Sequence, residues 1–86
     1  MREYDIEFRP TAAKALAKLE RDVQLRLRGV LALLRTDPRP PSSRKLQGRD
    51  AYRVRSGDYR LIYTIVDEAL VVVVVTVGHR RDVYER

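Results

Sequence analysis

The segment from Leu70 to Val77 constrains the fold more than any other part of this chain of 86 residues. After Leu70 it contains only valine and threonine, whose β-branched side chains favour strands over helices. Because successive side chains of a strand point to opposite faces, this strand is apolar on both sides. The run therefore predicts a strand inside a sheet. The two helices predicted for the first half of the chain can cover only one face of that sheet, so we expect an apolar strip of Ile62 and alternate valines to stay open on the other face.

Two alternating segments upstream of this run predict a β-hairpin. Apolar residues alternate with arginine from Tyr52 to Arg55, and the alternation resumes from Arg60 to Ile65. Between them, Gly57-Asp58 has the composition of a two-residue hairpin loop, which fixes the register of the two strands. The predicted pairs are Ser56 with Tyr59, Arg55 with Arg60, Val54 with Leu61, and Tyr52 with Tyr63.

This register places Arg55 directly opposite Arg60, with Arg53 two residues away on the same face. Like charges that oppose each other across a sheet are destabilising. A sequence selected for stability alone would avoid this arrangement, and the three arginines together are therefore candidates for function. The alternative is that each of the three arginines is an ordinary solvated surface residue without a function.

The first half of the chain predicts one strand and two helices. Alternation from Glu3 to Phe8 is typical of a half-buried strand, and helical spacing of apolar residues follows over Ala12 to Leu19 and Val23 to Arg35. Three prolines between Thr36 and Ser43 predict a surface loop, and Asp67-Glu68 predicts a turn. The predicted fold is a single α+β domain over residues 1–86, ordered β-α-α-β-β-β, with an antiparallel sheet and both helices on one face.

Composition limits the kinds of partner and chemistry. The chain has a net charge of +6, and only three of its 18 basic residues are lysine, so phosphate-rich partners are favoured unless the arginines merely reflect the codon usage of a high-GC genome. The absence of cysteine excludes disulfides, thiolate zinc sites and a cysteine nucleophile. We expect a cytoplasmic protein without a membrane segment, metal or cofactor.

A second group of candidates follows the valine-rich strand, where Gly78 is succeeded by His79, Arg80, Arg81 and, three residues later, Tyr84. Metal-free cleavage of RNA requires a base for the 2′-hydroxyl, positive charge at the phosphate and an acid for the leaving oxygen. Neighbouring arginines would lower the pKa of Tyr84 and make it a plausible base. His79 competes with Tyr84 for that role and with Arg80 for the role of acid, and the residues alone leave this open.

Two segments carry a resemblance to a known family: YRVRSGDYRLIY at 52–63 and VGHRRDVY at 77–84, with KLQG at 45–48 in support. Together they resemble the RelE/ParE toxin superfamily, and more specifically its RelE branch of mRNA interferases. The resemblance covers nearly the whole chain. It implies a small curved antiparallel sheet with two helices on one side, and metal-free cleavage of messenger RNA on the ribosome.

The resemblance also implies roles for individual residues. Arg60 matches the family's transition-state arginine, Arg80 its second catalytic arginine and Tyr84 its base, while His79 stands where some relatives have a lysine. Arg53 and Arg55 replace lysines that bind the phosphate, which keeps the charge but makes proton transfer there doubtful. The expected set is catalytic Arg60, Arg80, Tyr84 and His79, and phosphate-binding Arg53, Arg55, Lys45 and Arg81.

The partners implied by the resemblance are a cognate antitoxin protein, the ribosome and messenger RNA, with operator DNA bound only through the antitoxin complex. Two alternatives remain. The first is a ParE-like inhibitor of DNA gyrase without nuclease activity, since one fold supports different functions. The second is a non-catalytic module whose arginines bind the phosphates of RNA or of the ribosome without cleavage.

Overall fold

The computed structural model describes residues 3–79 of the chain. It contains the predicted strand, the two helices, and the hairpin with its following strand. One short strand and one turn of 3₁₀-helix, Asp67–Ala69, were not assigned as such from the pattern. The elements are β1 (Asp5–Phe8), α1 (Pro10–Ala17), α2 (Arg21–Thr36), β2 (Arg44–Lys45), β3 (Tyr52–Ser56), β4 (Tyr59–Val66) and β5 (Val71–His79).

The strands form one sheet in the order β1-β5-β4-β3-β2. The valine-rich strand β5 therefore has a neighbour on each side, as predicted. The pairs β2–β3, β3–β4 and β4–β5 are antiparallel, whereas β1 is parallel to β5, so the sheet is mixed. The α+β class is confirmed, with the parallel pairing of β1 and the two-residue edge strand β2 as additions to it.

The β3–β4 hairpin has the predicted register at each of the four predicted pairs, including Arg55 opposite Arg60. Gly57 has a φ of +60°, at the first of the two loop positions. A positive φ at this position is the feature of the type II′ turn, whose twist matches that of the flanking strands. The turn residue and the alternating pattern together thus fix which side chains share a face.

The main core lies between the two helices and one face of the sheet. In α2 the spacing of Leu27, Leu31 and Leu34 places all three on the side that packs against the strands. Both helices contribute to this single core, which confirms that they cover one face. Its buried residues are Ala12, Leu27, Leu31, Leu34, Val54, Leu61, Tyr63, Val72, Val74 and Val77.

A second, smaller cluster covers part of the opposite face. Leu46 and Ala51 pack on Ile62, whose side chain is only 1% exposed. The backbone N–H of Leu46 donates to the carbonyl oxygen of Ala51 at 2.9 Å, which closes the segment between β2 and β3 over Ile62. The pattern predicts Ile62 as part of an open apolar strip. The chain instead covers it with its own residues, because burial of an isoleucine is favourable.

The loop between α2 and β2 is less exposed than its prolines predict. Pro38 and Pro40 are buried, and the hydroxyl of Tyr63 donates to the carbonyl oxygen of Pro38 at 2.8 Å. Burial raises the pKa of Tyr63 above its ordinary value, so the hydroxyl stays a donor. The loop is thereby anchored to the middle of the sheet through a buried polar contact.

Arg39, in the same loop, is held by Tyr52 of β3 and by Asp67 of the 3₁₀ turn. Its guanidinium donates to both carboxylate oxygens of Asp67 at 3.3 and 2.9 Å, and its Nε donates to the hydroxyl of Tyr52 at 3.1 Å. The Tyr4 hydroxyl also donates to Asp67, at 2.7 Å. These bonds hold the pKa of Asp67 below its usual range, with the contact from Arg39 as the largest cause.

Candidate functional site

Four arginines lie on the face of the sheet that the helices leave uncovered. Val54 and Leu61 point into the main core, so their neighbours on β3 and β4 point the other way. Arg55 opposes Arg60, and the short strand β2 brings Arg44 opposite Arg53. We call Arg44, Arg53, Arg55 and Arg60 the arginine face.

The arginine face follows a continuous path over three strands. From Arg60 to Arg55, and from Arg53 to Arg44, the path crosses to a neighbouring strand, which is a step of about 4.8 Å. From Arg55 to Arg53 it runs two residues along β3, about 6.8 Å. Because the steps across and along the strands are perpendicular, the backbones of Arg60 and Arg44 lie roughly 12 Å apart, which is enough for more than one phosphate group.

Exposure differs along this strip. Arg44 and Arg55 are exposed, whereas Arg53 and Arg60 are half-buried, and the Nε atom of Arg60 is itself buried. A half-buried guanidinium interacts with an anion in a lower effective dielectric than an exposed one does. Arg60 is thus the member of the arginine face best suited to stabilise charge that develops on a bound group.

The charge of the face is one-sided. Neither Arg44 nor Arg55 takes part in the ion pairs that join Arg26 to Asp22, Arg35 to Glu3 and Arg39 to Asp67. Among the described strands, the acidic side chains on this face belong to β1, as Asp5 and Glu7. They lie at the far edge of the sheet, beyond β5. A bound polyanion is therefore attracted to the β2–β4 side.

The structure does not bring His79 to the arginine face. His79 pairs with Tyr59, and the two rings meet edge to face with centroids 5.5 Å apart. Tyr59 packs against the main core, so His79 lies on the side of the helices. Arg60, by contrast, pairs with Gly78 on the other face.

A β-bulge in β5 explains this orientation. Ile62 pairs with Thr76, while the next residue of β4, Tyr63, pairs with Val74, which leaves Val75 as the extra residue. One inserted residue reverses which face the following side chains occupy. His79 thus points to the helix side, although uninterrupted alternation from Val71 would place it on the open one.

Lys45 is also separated from the arginines. It pairs with Tyr52, whose ring stacks on that of Tyr63 on the side of the helices, and its own side chain is exposed. Of the predicted set, the structure therefore brings together Arg53, Arg55 and Arg60. The remaining candidates, Arg80, Arg81 and Tyr84, lie outside the described residues.

Sequence reasoning missed Arg44. A strand of two residues is too short to show an alternating pattern, and β2 follows directly on a proline-rich loop. The available signal was Leu46, which lies two residues after Arg44 and is buried on the same face of the sheet. An isolated apolar residue in a polar segment does not reveal that arrangement without the partner strand.

The described part of the site supplies binding and charge stabilisation. On β2, β3 and β4, the charged side chains of the open face are all arginines, which present planar groups of donors to phosphate oxygens. No group of three or more metal-ligating side chains occurs within residues 3–79. Groups that transfer protons would have to join this face from another part of the chain.

The helix side offers a different kind of surface. A groove of about 320 Å³ runs between α1 and α2, where Phe8 and Leu16 supply apolar walls and Arg28 and Gln24 a polar rim. This groove lies across the sheet from the arginine face.

In the described part of the chain, neither helix has the length and apolarity required to span a bilayer.

Comparison with known proteins agrees with the fold and with the motifs. Residues 6–84 match the model of the ParE toxin family of type II toxin–antitoxin systems. The mRNA interferase toxin RelE of Escherichia coli strain K12 is 38% identical over 80 residues, which cover 90% of this chain and 83% of that protein.

Two solved complexes show the same fold. The toxin of the intact E. coli RelBE toxin–antitoxin complex superposes with a TM-score of 0.79 and 37% identity, covering 88% of this chain and 95% of the other. The archaeal RelE–RelB complex of Pyrococcus horikoshii gives a TM-score of 0.82 at 28% identity, covering 94% and 99%. With its fold, its motifs and these similarities, the chain belongs to the RelE/ParE family, as a RelE-type toxin of a type II toxin–antitoxin system.

Proposed function

We propose that this toxin is an endoribonuclease that cleaves messenger RNA on the ribosome without a metal ion. The observation that carries the proposal is the opposition of Arg55 and Arg60, with Arg53 beside them, on the face left open by the helices. Like charges opposed across a sheet cost stability, and a phosphate bound between the two guanidinium groups would offset that cost. The RelE relative named as an mRNA interferase indicates which anion this is.

The proposed reaction is an internal transfer at one phosphodiester. A base removes the proton of the 2′-hydroxyl, whose oxygen attacks the adjacent phosphorus, and the bond to the 5′-oxygen of the next nucleotide breaks. The products are a 2′,3′-cyclic phosphate and a 5′-hydroxyl, which takes up a proton as it leaves. Negative charge accumulates on the phosphate oxygens in the transition state, where Arg60 would stabilise it.

The roles of the remaining residues follow from charge and placement. Arg53 and Arg55 would bind the phosphate in the ground state, and Arg80 would complete the set as a second catalytic arginine. We assign the base to Tyr84 rather than His79, because the ring of His79 lies against Tyr59 on the side of the helices. Arg81 would add positive charge at the periphery of the site, whereas Lys45, on the other face of β2, would act only through its long-range charge.

The proposed partner in the cell is a cognate antitoxin protein. Relatives of known structure occur in complexes with RelB antitoxins, and the same relation is proposed here. A domain of this size buries a limited fraction of its surface, so a tightly bound partner would add substantially to its stability. Binding of operator DNA would occur only through the complex with the antitoxin.

The test is a cleavage assay with purified toxin and ribosomes programmed with a defined messenger. We expect cuts that require the ribosome, with cyclic phosphate and 5′-hydroxyl termini at the new ends. Arg60→Ala is expected to lower the cleavage rate about 10²- to 10³-fold, and Tyr84→Phe to lower it as well, with unchanged thermal denaturation. Arg28→Ala, which removes the same charge from α2, serves as the control.

Two other outcomes would point to different functions. Intact messenger together with inhibition of DNA gyrase in a supercoiling assay would assign the chain to ParE-like activity, which the matching family model makes a specific alternative. Intact messenger with tight, salt-sensitive association to ribosomes would indicate a module that binds RNA without cutting it. Either result would overturn the proposal.

A further inference from the structure

Arg44 extends the arginine face beyond the residues for which the proposed chemistry has a role. The reacting phosphate requires Arg60 and its neighbours on β3, whereas Arg44 lies on the edge strand β2, one strand further from Arg60. Its Cα is the partner of Arg53, so both side chains leave the sheet on the same side. Within residues 3–79 it takes part in none of the observed ion pairs.

The edge strand is anchored well enough to hold this position. Leu46 is 5% exposed and packs with Ala51 on Ile62, on the same face as Arg44. The hydrogen bond from Leu46 to Ala51 continues the β2–β3 pairing beyond Lys45. Gly48, with a φ of +74°, makes the turn that returns the chain to β3. Arg44 is therefore attached to a folded edge of the sheet, although β2 itself has only two residues.

We propose that Arg44 is a further phosphate-binding residue, which contacts a phosphate of the bound RNA next to, and not at, the one that is cleaved. The strip from Arg60 through Arg55 and Arg53 to Arg44 crosses the strands, and a single RNA strand would follow it toward the edge of the sheet. Positively charged grooves that track the backbone in this way are the usual means of holding single-stranded RNA.

The distribution of charge gives the direction of this path. The opposite edge of the same face carries Asp5 and Glu7, which repel a phosphate backbone. On the strands from β4 to β2 the charged side chains of this face are arginines, whereas on β1, beyond β5, they are carboxylates. The strand is therefore expected to leave the cleaved position over β3 and β2. This inference rests on the proposed function because it takes RNA as the ligand.

The experiment separates the contact at Arg44 from cleavage. Fluorescently labelled 2′-O-methyl oligoribonucleotides, which lack the attacking hydroxyl, are bound to the full-length toxin in two lengths, three and eight nucleotides, at several salt concentrations. We expect Arg44→Ala to weaken binding of the octamer about three- to tenfold and to reduce its salt slope by about 0.7, with little effect on the trimer. Arg44→Lys should keep most of the affinity.

The matched control is Arg28→Ala, which removes one positive charge from the helix side. It is expected to change the binding of both lengths equally and only slightly. The same two variants are then assayed on programmed ribosomes, where Arg44→Ala should raise KM with little change in kcat. That split is typical of a residue that binds substrate in the ground and transition states alike.

The inference is overturned if Arg44→Ala and Arg28→Ala affect the octamer to the same extent, or if the wild-type toxin binds no octamer. It is also overturned if Arg44→Ala lowers kcat like Arg60→Ala, because Arg44 would then act at the reacting phosphate. Failure of the proposed function is a separate result. In that case the wild-type toxin leaves messenger intact on ribosomes, whatever Arg44→Ala does to oligonucleotide binding.

Discussion

The two faces of the β3–β4 hairpin are built from alternate residues of the same strands, yet one face is apolar and buried and the other is positively charged. On the helix side, Val54 and Leu61 meet as an apolar pair that is 2% and 1% exposed. One residue further on each strand, Arg55 meets Arg60, a pair of like charges. The first pair contributes to stability through burial, and the second reduces it through repulsion. The proposed binding of RNA to the open face would account for this difference.

Arg39, in contrast to Arg44 and Arg55, is paired with a carboxylate of the chain itself. At the other end of the hairpin it makes a bidentate contact with Asp67 and a third hydrogen bond to Tyr52. Its guanidinium also lies over the Tyr52 ring, 5.4 Å from the centroid. Strands β2 to β4 themselves contain no acidic residue. In the proposed complex a ligand phosphate would contact Arg44 and Arg55, as Asp67 contacts Arg39.

The largest effect on stability is expected on the closed face. Leu61→Ala should lower the free energy of unfolding by about 2–5 kcal/mol, because it removes a fully buried side chain and leaves a cavity in the main core. Urea denaturation measures the change. Arg55→Ala, on the neighbouring strand and the opposite face, is the control and should not destabilise the fold. Equal losses for both variants would contradict the division between the faces.

An intermediate effect is expected for the buried hydroxyl of Tyr63. Tyr63→Phe keeps the ring but leaves the carbonyl oxygen of Pro38 without its donor, which should cost about 1–3 kcal/mol in the free energy of unfolding. Tyr52→Phe is the matched control, since the Tyr52 hydroxyl lies in an exposed contact with Arg39. If both variants lose the same small amount, the loop is not held by this bond.

Much of this comparison was accessible from local sequence. Two-residue periodicity and Gly57 are sufficient to fix the hairpin register, and the register determines that Arg55 faces Arg60. The spacing of leucines in α2 similarly identifies the side that packs on the sheet. These features depend on residues close together in the chain, whose effects can be added without knowledge of the rest of the fold.

Other features depend on contacts between distant residues and could not be read from local patterns. Asp5 of β1 pairs in parallel with Val71, which lies at the other end of the chain. The bulge at Val75 reverses the face of His79, and a run of consecutive valines contains no polar residue that would mark it. The positions of Arg80 and Tyr84 lie outside the described residues, so their roles stay predictions.

A smaller effect, of opposite sign, is expected from relieving the repulsion on the open face. Arg55→Glu places a carboxylate opposite Arg60 and should raise the free energy of unfolding by up to about 1 kcal/mol. The same variant should weaken RNA binding and slow cleavage, because the new carboxylate would pair with the guanidinium of Arg60 and repel the phosphate. Denaturation and the ribosome assay are run on one preparation. A variant that is both more stable and fully active would show that the repulsion between Arg55 and Arg60 is not connected with RNA binding.

The smallest effect concerns the ion pair at the far end of the hairpin and is detected through pH. The contacts of Asp67 with Arg39 and Tyr4 lower the pKa of its carboxyl in the folded state below the unfolded value of about 3.9. The stability that Asp67 contributes is therefore complete above that unfolded value and is lost as the pH falls through the folded pKa. Asp67→Asn should make the decline of the thermal midpoint below pH 5 shallower.

Asp58→Asn is the control for this last prediction, since it removes a carboxylate from the hairpin loop without touching the Arg39 contacts. If the carboxylate at position 67 holds Arg39 as described, the wild-type protein and Asp67→Asn should converge in stability at low pH, where Asp67 is protonated. Addition of salt should narrow the difference at neutral pH, because Arg39 and Asp67 are both partly exposed. A difference that persists unchanged at low pH would show that the side chain at position 67 acts through packing. The contrast between Arg39 and the arginine face would then no longer rest on charge.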